Sequence, residues 1–174
     1  MSLSGQTIWT VERAQRRWSG LGAQHLLDPP LTAFFASRQC PGAAILIAMD
    51  WALDQAKARR VVIGGFHSPL EQSVLLLLLQ AKSPVVAVLA RPVAGASLKP
   101  DWKTAIAEGR MAVVSPFATS QRLTRTLAAQ RNESLAHLSD TLVVAHAQPG
   151  GDLAQLLASR QHAGQLVDYL APTI

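Results

Sequence analysis

Cysteine is almost missing: Cys40 is alone among 174 residues. That excludes an internal disulfide and a multi-cysteine zinc site, and it fits a reducing cytoplasm. The histidines at 25, 67, 137, 146 and 162 show no ligand spacing with acids, so no metal is expected. No cofactor is expected either: neither GxGxxG nor GxxxxGK[ST] occurs. The opening "MSLSGQTIWT" lacks the basic-then-apolar pattern of an export signal. No apolar stretch approaches the ~20 residues that cross a bilayer, so no membrane partner is expected. The leucine run 75–79 is bounded by Gln72 and Gln80 and reads as a core helix. Aromatics make up only 5% of the chain.

What is present is apolar and aliphatic. Hydrophobic residues make up 49% of the chain, rich in Ala, Leu and Val, enough for one large core. Short apolar runs alternate with helical patterns. Strands are expected at 31–37, 60–65, 84–90, 110–117 and 141–147. Helices are expected at 41–60, 68–82, 99–109, 120–139 and 151–163. Residues 165–171 fit either a sixth strand or a terminal helix. The order is that of a single α/β domain: three layers around a doubly wound, mainly parallel, Rossmann-like sheet. Unbroken apolar strands suit a sheet covered on both faces. Residues 1–30 stand outside the pattern. They read as an N-terminal cap of the same domain, a short amphipathic helix and a turn, ahead of the main unit at 31–174.

The formal charge is +5 and the pI is about 10.1. A basic balance favours polyanions, nucleic acid first, although scattered Lys and Arg also serve solubility. In open α/β sheets, ligands bind beyond the carboxyl ends of the strands. Ser37 and Arg38 follow the first strand, ahead of Pro41-Gly42. A forked guanidinium and a helix N-terminus suit a phosphate. Gly64, Gly65, Phe66 and His67 follow the second strand. Ser68, Pro69 and Glu71 complete a capping box there. The paired glycines are not explained by the cap; they permit positive φ or close approach of a ligand. Arg91 follows the third strand, Ser115 ends the fourth, and Gly150-Gly151 follow the fifth. Asp152 reads as a helix cap.

These pieces resemble the Rossmann-type domain of DNA-processing protein A (DprA/Smf). That domain belongs to a superfamily that also holds the lonely guy nucleotide hydrolases. "FFASRQCPG" matches the family's Gly-Ser-Arg strand end with Ala36-Ser37-Arg38, and "VVIGGFHSPLEQ" is a shortened counterpart of its second strand and helix start. "VVAVLARP" stands for its "AVL" strand, and "EGRMAVVSPF" keeps Gly109 and Ser115 with Pro116 in place of Glu. The most specific match is "QRNESLAHLSDTLVVAHAQPGGDLAQL". It supplies Arg131-Asn132, Leu138-Ser139-Asp140, the strand, and Gly150-Gly151-Asp152-Leu153. Glu133 replaces the family's second arginine, and Asp152 replaces a small hydroxyl residue. The resemblance covers roughly residues 26 to 171. It implies a bacterial, cytoplasmic role in DNA recombination, binding to single-stranded DNA, and self-association. It also implies a phosphate-binding surface near Ser37, Arg38, Arg131 and Asn132.

Three functions stay open. The first is a DprA-like domain binding single-stranded DNA. The second is a lonely-guy-like nucleotide hydrolase. Pro149-Gly150-Gly151 begins that family's motif, but Leu153, Ala154 and Leu157 stand near the places of its Gly-Thr and Glu. No obvious general acid or base remains, so catalysis is not the favoured reading. The third is a nucleotide sensor or oligomeric scaffold.

Overall fold

The computed structural model describes residues 6–170; expectations that touch residues 1–5 and 171–174 lie outside the described residues. The chain runs β1 (Trp9–Arg13), β2 (Arg16–Gly22), a 3-10 turn (Gln24–Leu27), β3 (Leu31–Ala36), α1 (Gly42–Ala58), β4 (Val61–Gly64), α2 (Pro69–Gln80) and β5 (Val85–Val88). It continues through α3 (Pro100–Ala107), β6 (Met111–Ser115), α4 (Arg125–Leu138), β7 (Thr141–His146), α5 (Asp152–His162) and β8 (Leu166–Tyr169). The eight strands form one sheet in the order β1-β2-β6-β5-β4-β3-β7-β8. From β6 to β8 every pairing is parallel; β2 joins β6 antiparallel, and β1 joins β2 antiparallel.

Strands β4, β5 and β6 are buried at every position. Adjacent residues therefore serve opposite faces. Phe34 packs toward α1 and α2, where it stacks on Trp51 with ring centroids 5.2 Å apart. Phe35 points the other way, among Leu135 of α4 and Leu157 of α5. Each fully buried ring contributes about 1.5–3 kcal/mol. The leucine run lies as its pattern requires: Val74, Leu75, Leu78 and Leu79 are buried, while Leu76 reaches solvent.

The N-terminal segment is a correction. A helix was expected; the structure has a hairpin that extends the sheet. Trp9 and Val11 alternate with exposed residues along β1, a period of two that the arginines obscured. The turn residues Ala14 and Gln15 have φ of 50° and 60°. Two consecutive positive φ values between paired Arg13 and Arg16 make a two-residue hairpin loop. Ala-Gln lacks the Asn-Gly signature of such loops, so the turn was invisible. Trp9 lies over Gly20, where any Cβ would overlap its ring. Its indole donates to Gly22 O at 3.0 Å.

Two smaller differences follow the same logic. The helix expected from 120 begins at Arg125, where Thr124 Oγ1 accepts from Leu127 N at 3.2 Å. Residues 120–126 are exposed, so nothing anchors an earlier turn. The segment after Gly164 forms a sixth parallel strand beside β7 and not a terminal helix.

Candidate functional site

Strand order reverses between β3 and β7, since β3 leads through α1 to β4 on one side while β7 lies on the other. Such switch points open a crevice at the carboxyl ends of the strands. Here the crevice is a cleft of about 720 Å³. Its walls come from the turns after β3, β4 and β7 and from one face of α4. The register of β3 against β7 shifts between Phe35 and Ala36, at the strand end that borders the cleft.

Two internal braces hold the turns. Ser37 Oγ accepts from the backbone N–H of Gln148 at 2.7 Å, tying the β3 turn to the β7 turn. Glu71, only 6% exposed, ties β3 to the β4 turn. Its Oε2 accepts from Ala36 N at 3.0 Å. Its Oε1 accepts from His67 N at 3.0 Å and Ser68 N at 3.2 Å. Glu71 N is held by Ser68 Oγ at 3.4 Å, so the capping box forms as its sequence requires. The cap alone understates Glu71, because one carboxylate satisfies a backbone donor at the end of β3 and two in the turn after β4.

Arg131 has the opposite character. It is 5% exposed, yet its only hydrogen bond among the described residues runs from Nε to the neighbouring Asn132 Oδ1 at 3.3 Å. Among those residues both terminal nitrogens lack an acceptor, and no ion pair engages them. Burial holds the guanidinium below its usual pKa, and the field of Glu71 offsets this only in part. The side chain is buried along its length while its terminal nitrogens reach the solvent of the cleft, where an anion would replace water as their acceptor.

The glycine pair is explained by this arginine and by a ring. Neither Gly64 nor Gly65 has a positive φ. A Cβ on Gly65 would lie 2.6 Å from Arg131 Nε and 2.7 Å from its Cζ. A Cβ on Gly64 would lie 3.0 Å from the Phe66 ring. The bare backbone makes room for the protein's own side chains, not for a ligand.

The structure brings Ser37, Arg38, His67, Arg131, Asn132 and Gly151 together around the cleft. Arg38 is exposed and makes no side-chain hydrogen bond or ion pair among the described residues. Four other expected residues lie elsewhere. Phe66 adopts φ 49° and buries its ring in the core, where packing offsets the strain. Arg91, beyond β5, donates to Ser97 O at 3.2 Å. Ser115 is buried at the end of β6 and accepts from Phe117 N at 3.1 Å. Gly150, at φ 75°, forms the turn behind Gly151 but does not line the cleft. Gly151 begins α5 with no side chain capping it, which leaves first-turn N–H groups free of side-chain acceptors.

Sequence reasoning missed Arg125 and Gln148 and read Asp152 as a helix cap whose charge would also weaken anion binding there; the cap position is Gly151, and Asp152, the first residue of α5, makes no cap hydrogen bond because its carboxylate is taken by Arg125. Arg125 Nε meets Asp152 Oδ2 at 2.6 Å and Nη2 meets Oδ1 at 2.9 Å across the cleft wall. This forked pair holds the Asp152 carboxyl below its usual range. No sequence spacing joins the two residues; only packing of α4 beside α5 does.

Residues 18–165 match the family described as DNA recombination-mediator protein A. None of the curated proteins matches the chain. The structure of DNA processing protein A from Streptococcus pneumoniae superposes with a TM-score of 0.76 at 16% identity, over 98% of this chain and 64% of that protein. The chain thus spans less than two thirds of that relative's length. DNA processing protein A from Helicobacter pylori, described for a unique mode of binding single-stranded DNA, gives a TM-score of 0.76 at 15% identity. That match covers 98% of this chain and 84% of the Helicobacter protein. The molybdenum cofactor binding protein of Rippkaea orientalis shares the fold more distantly, with a TM-score of 0.57 at 10% identity over 80% of this chain and 75% of its own.

Proposed function

This chain belongs to the DNA recombination-mediator protein A family, and from that premise we propose that its cleft binds the backbone of single-stranded DNA in cytoplasmic DNA processing or recombination. The observation that carries the reading is Arg131, a buried guanidinium whose terminal nitrogens lack acceptors and border the opening. Arg38 adds an exposed charge at the rim, and the uncapped start of α5 adds backbone donors. Contacts of this kind hold phosphates and do not read bases. Binding of low sequence specificity and steep salt dependence is expected.

The cleft carboxylates support binding over hydrolysis. Glu71 is occupied by three backbone N–H groups. Asp152 is occupied by Arg125. In the ligand-free protein neither is placed as a free general base.

The test is fluorescence anisotropy with a labelled single-stranded oligonucleotide at several salt concentrations. Removing one arginine that neutralises a phosphate should flatten the slope of log affinity against log salt by about 0.7. Arg38→Ala and Arg131→Met should each do so and weaken binding. Unchanged affinity and slope in both variants would remove the cleft as the binding site.

A further inference from the structure

The Arg125–Asp152 pair has no evident task in holding the fold. Both side chains are largely in solvent, at 82% and 43% exposure. Such pairs contribute little to stability. Yet the pair lines the same cleft as Arg131. On α4, Arg125, Ala128, Arg131 and Asn132 all line the cleft, spread over about a third of the helix circumference. Six residues of helix separate Arg125 from Arg131 by about 9 Å along the axis. That is too far for one phosphate to sit squarely on both. Two phosphates along a strand suit them better.

We propose that Arg125 is a second phosphate ligand held in reserve by Asp152, and that DNA binding exchanges this carboxylate for a phosphate. The proposal rests on the reading of the cleft given above. Its chemistry is that of like replacing like. A carboxylate and a phosphate each offer a guanidinium two oxygens in the same fork. Within the protein itself Asp152 fills the fork of Arg125. Arg131, by contrast, has no carboxylate in its fork and waits for an anion. Among the described residues the cleft therefore has two open cations, Arg38 and Arg131, and a third, Arg125, that must be released. Asp152 also brings a negative charge to the start of α5, where an anionic ligand would otherwise be favoured. It sets the affinity of the cleft by competing with the ligand for both the arginine and the helix terminus.

The exchange is tested by a double-mutant cycle on the full chain, read by anisotropy with a labelled single-stranded oligonucleotide at one low salt concentration. Both residues are exposed, and melting curves establish that each variant folds. Asp152→Asn should tighten binding by about two- to fivefold, and Arg125→Ala should weaken it by a similar factor. In the Arg125→Ala background, Asp152→Asn should add less than it does alone, because no arginine remains to release and only the carboxylate's charge at the start of α5 is removed. The same tightening in both backgrounds would show a remote repelling charge and overturn the exchange. So would Asp152→Asn or Arg125→Ala having no effect while Arg131→Met weakens binding; the cleft reading would then stand without the exchange. Binding indifferent to Arg38, Arg125 and Arg131 alike would instead remove the cleft itself.

Discussion

Arg131→Met separates folding from binding most sharply. The guanidinium's own hydrogen bond, Nε to Asn132 Oδ1, is long at 3.3 Å and joins chain neighbours. Its loss costs about 0.5–1.5 kcal/mol. Against that, methionine keeps an apolar stem in a site that is 5% exposed and removes a charge from it. Removing a guanidinium that has no direct ion pair relieves the cost of its burial. Glu71 loses a nearby positive charge, but its oxygens keep three backbone donors. Stability should therefore hold or rise, with Tm unchanged or a few degrees higher, since about 1 kcal/mol moves Tm by ~2–4 °C at this size. Hydrogen bonds to a charged group contribute about 1.5–3 kcal/mol, so binding to single-stranded DNA should weaken by about tenfold or more. Calorimetry and anisotropy on the same preparation read both numbers. A fall in Tm beyond about 6 °C would show that the guanidinium supports the fold and is not held for a ligand.

Gly65→Ala should leave Tm within about 3 °C while weakening DNA binding, because the new Cβ meets the Arg131 guanidinium at 2.6–2.7 Å and displaces it. A large loss of stability with normal binding would contradict this. Glu71→Gln should destabilise by about 1–3 kcal/mol, since its amide must face at least one backbone N–H now paired with a carboxylate oxygen; denaturant unfolding measures it. The carboxyls of Asp152 and Glu108 are both held below their usual range by hydrogen bonds from arginines, Arg125 and Arg110. A depressed folded-state pKa gives stability that is full above the unfolded value and lost as pH falls through the folded one. Melting temperature should therefore decline from about pH 5 downward, and slightly less in Glu108→Gln.

The parallel part of the sheet was legible because its signal is local. Apolar runs at 60–65, 84–90 and 110–117 were bounded by turns, and each contains a buried strand. The hairpin was not legible, because its turn residues carry no turn chemistry and its alternation is diluted by arginines. The site was half legible. Residues after strand ends had to border something, and Ser37, Arg38, His67 and Gly151 do, whereas Arg131 and Asn132, inside α4, were reached only through the family resemblance. Arg91 and Ser115 fell outside because β5 and β6 lie on the far side of β4 from the switch point. A strand-end rule without the strand order cannot tell the crevice from the rest of that edge.

Glu71 and Arg131 show why a capping motif and a binding motif are not alternatives. Glu71 satisfies two N–H groups of the β4 turn and one at the end of β3. With those donors satisfied inside the protein, the turn keeps its shape without a ligand. With the carboxylate already engaged by backbone, it is not spent on a direct ion pair with Arg131. Its field reaches the arginine and lessens the cost of burying it, without supplying an acceptor. Gly65 then leaves the space in which the guanidinium lies. The sequence Gly64-Gly65 through Glu71 thus builds a rigid turn whose result is one arginine left unsatisfied at the strand switch. Cap, glycines and core-facing leucines serve the fold, and the unmet hydrogen-bonding capacity of Arg131 is what they deliver to the cleft.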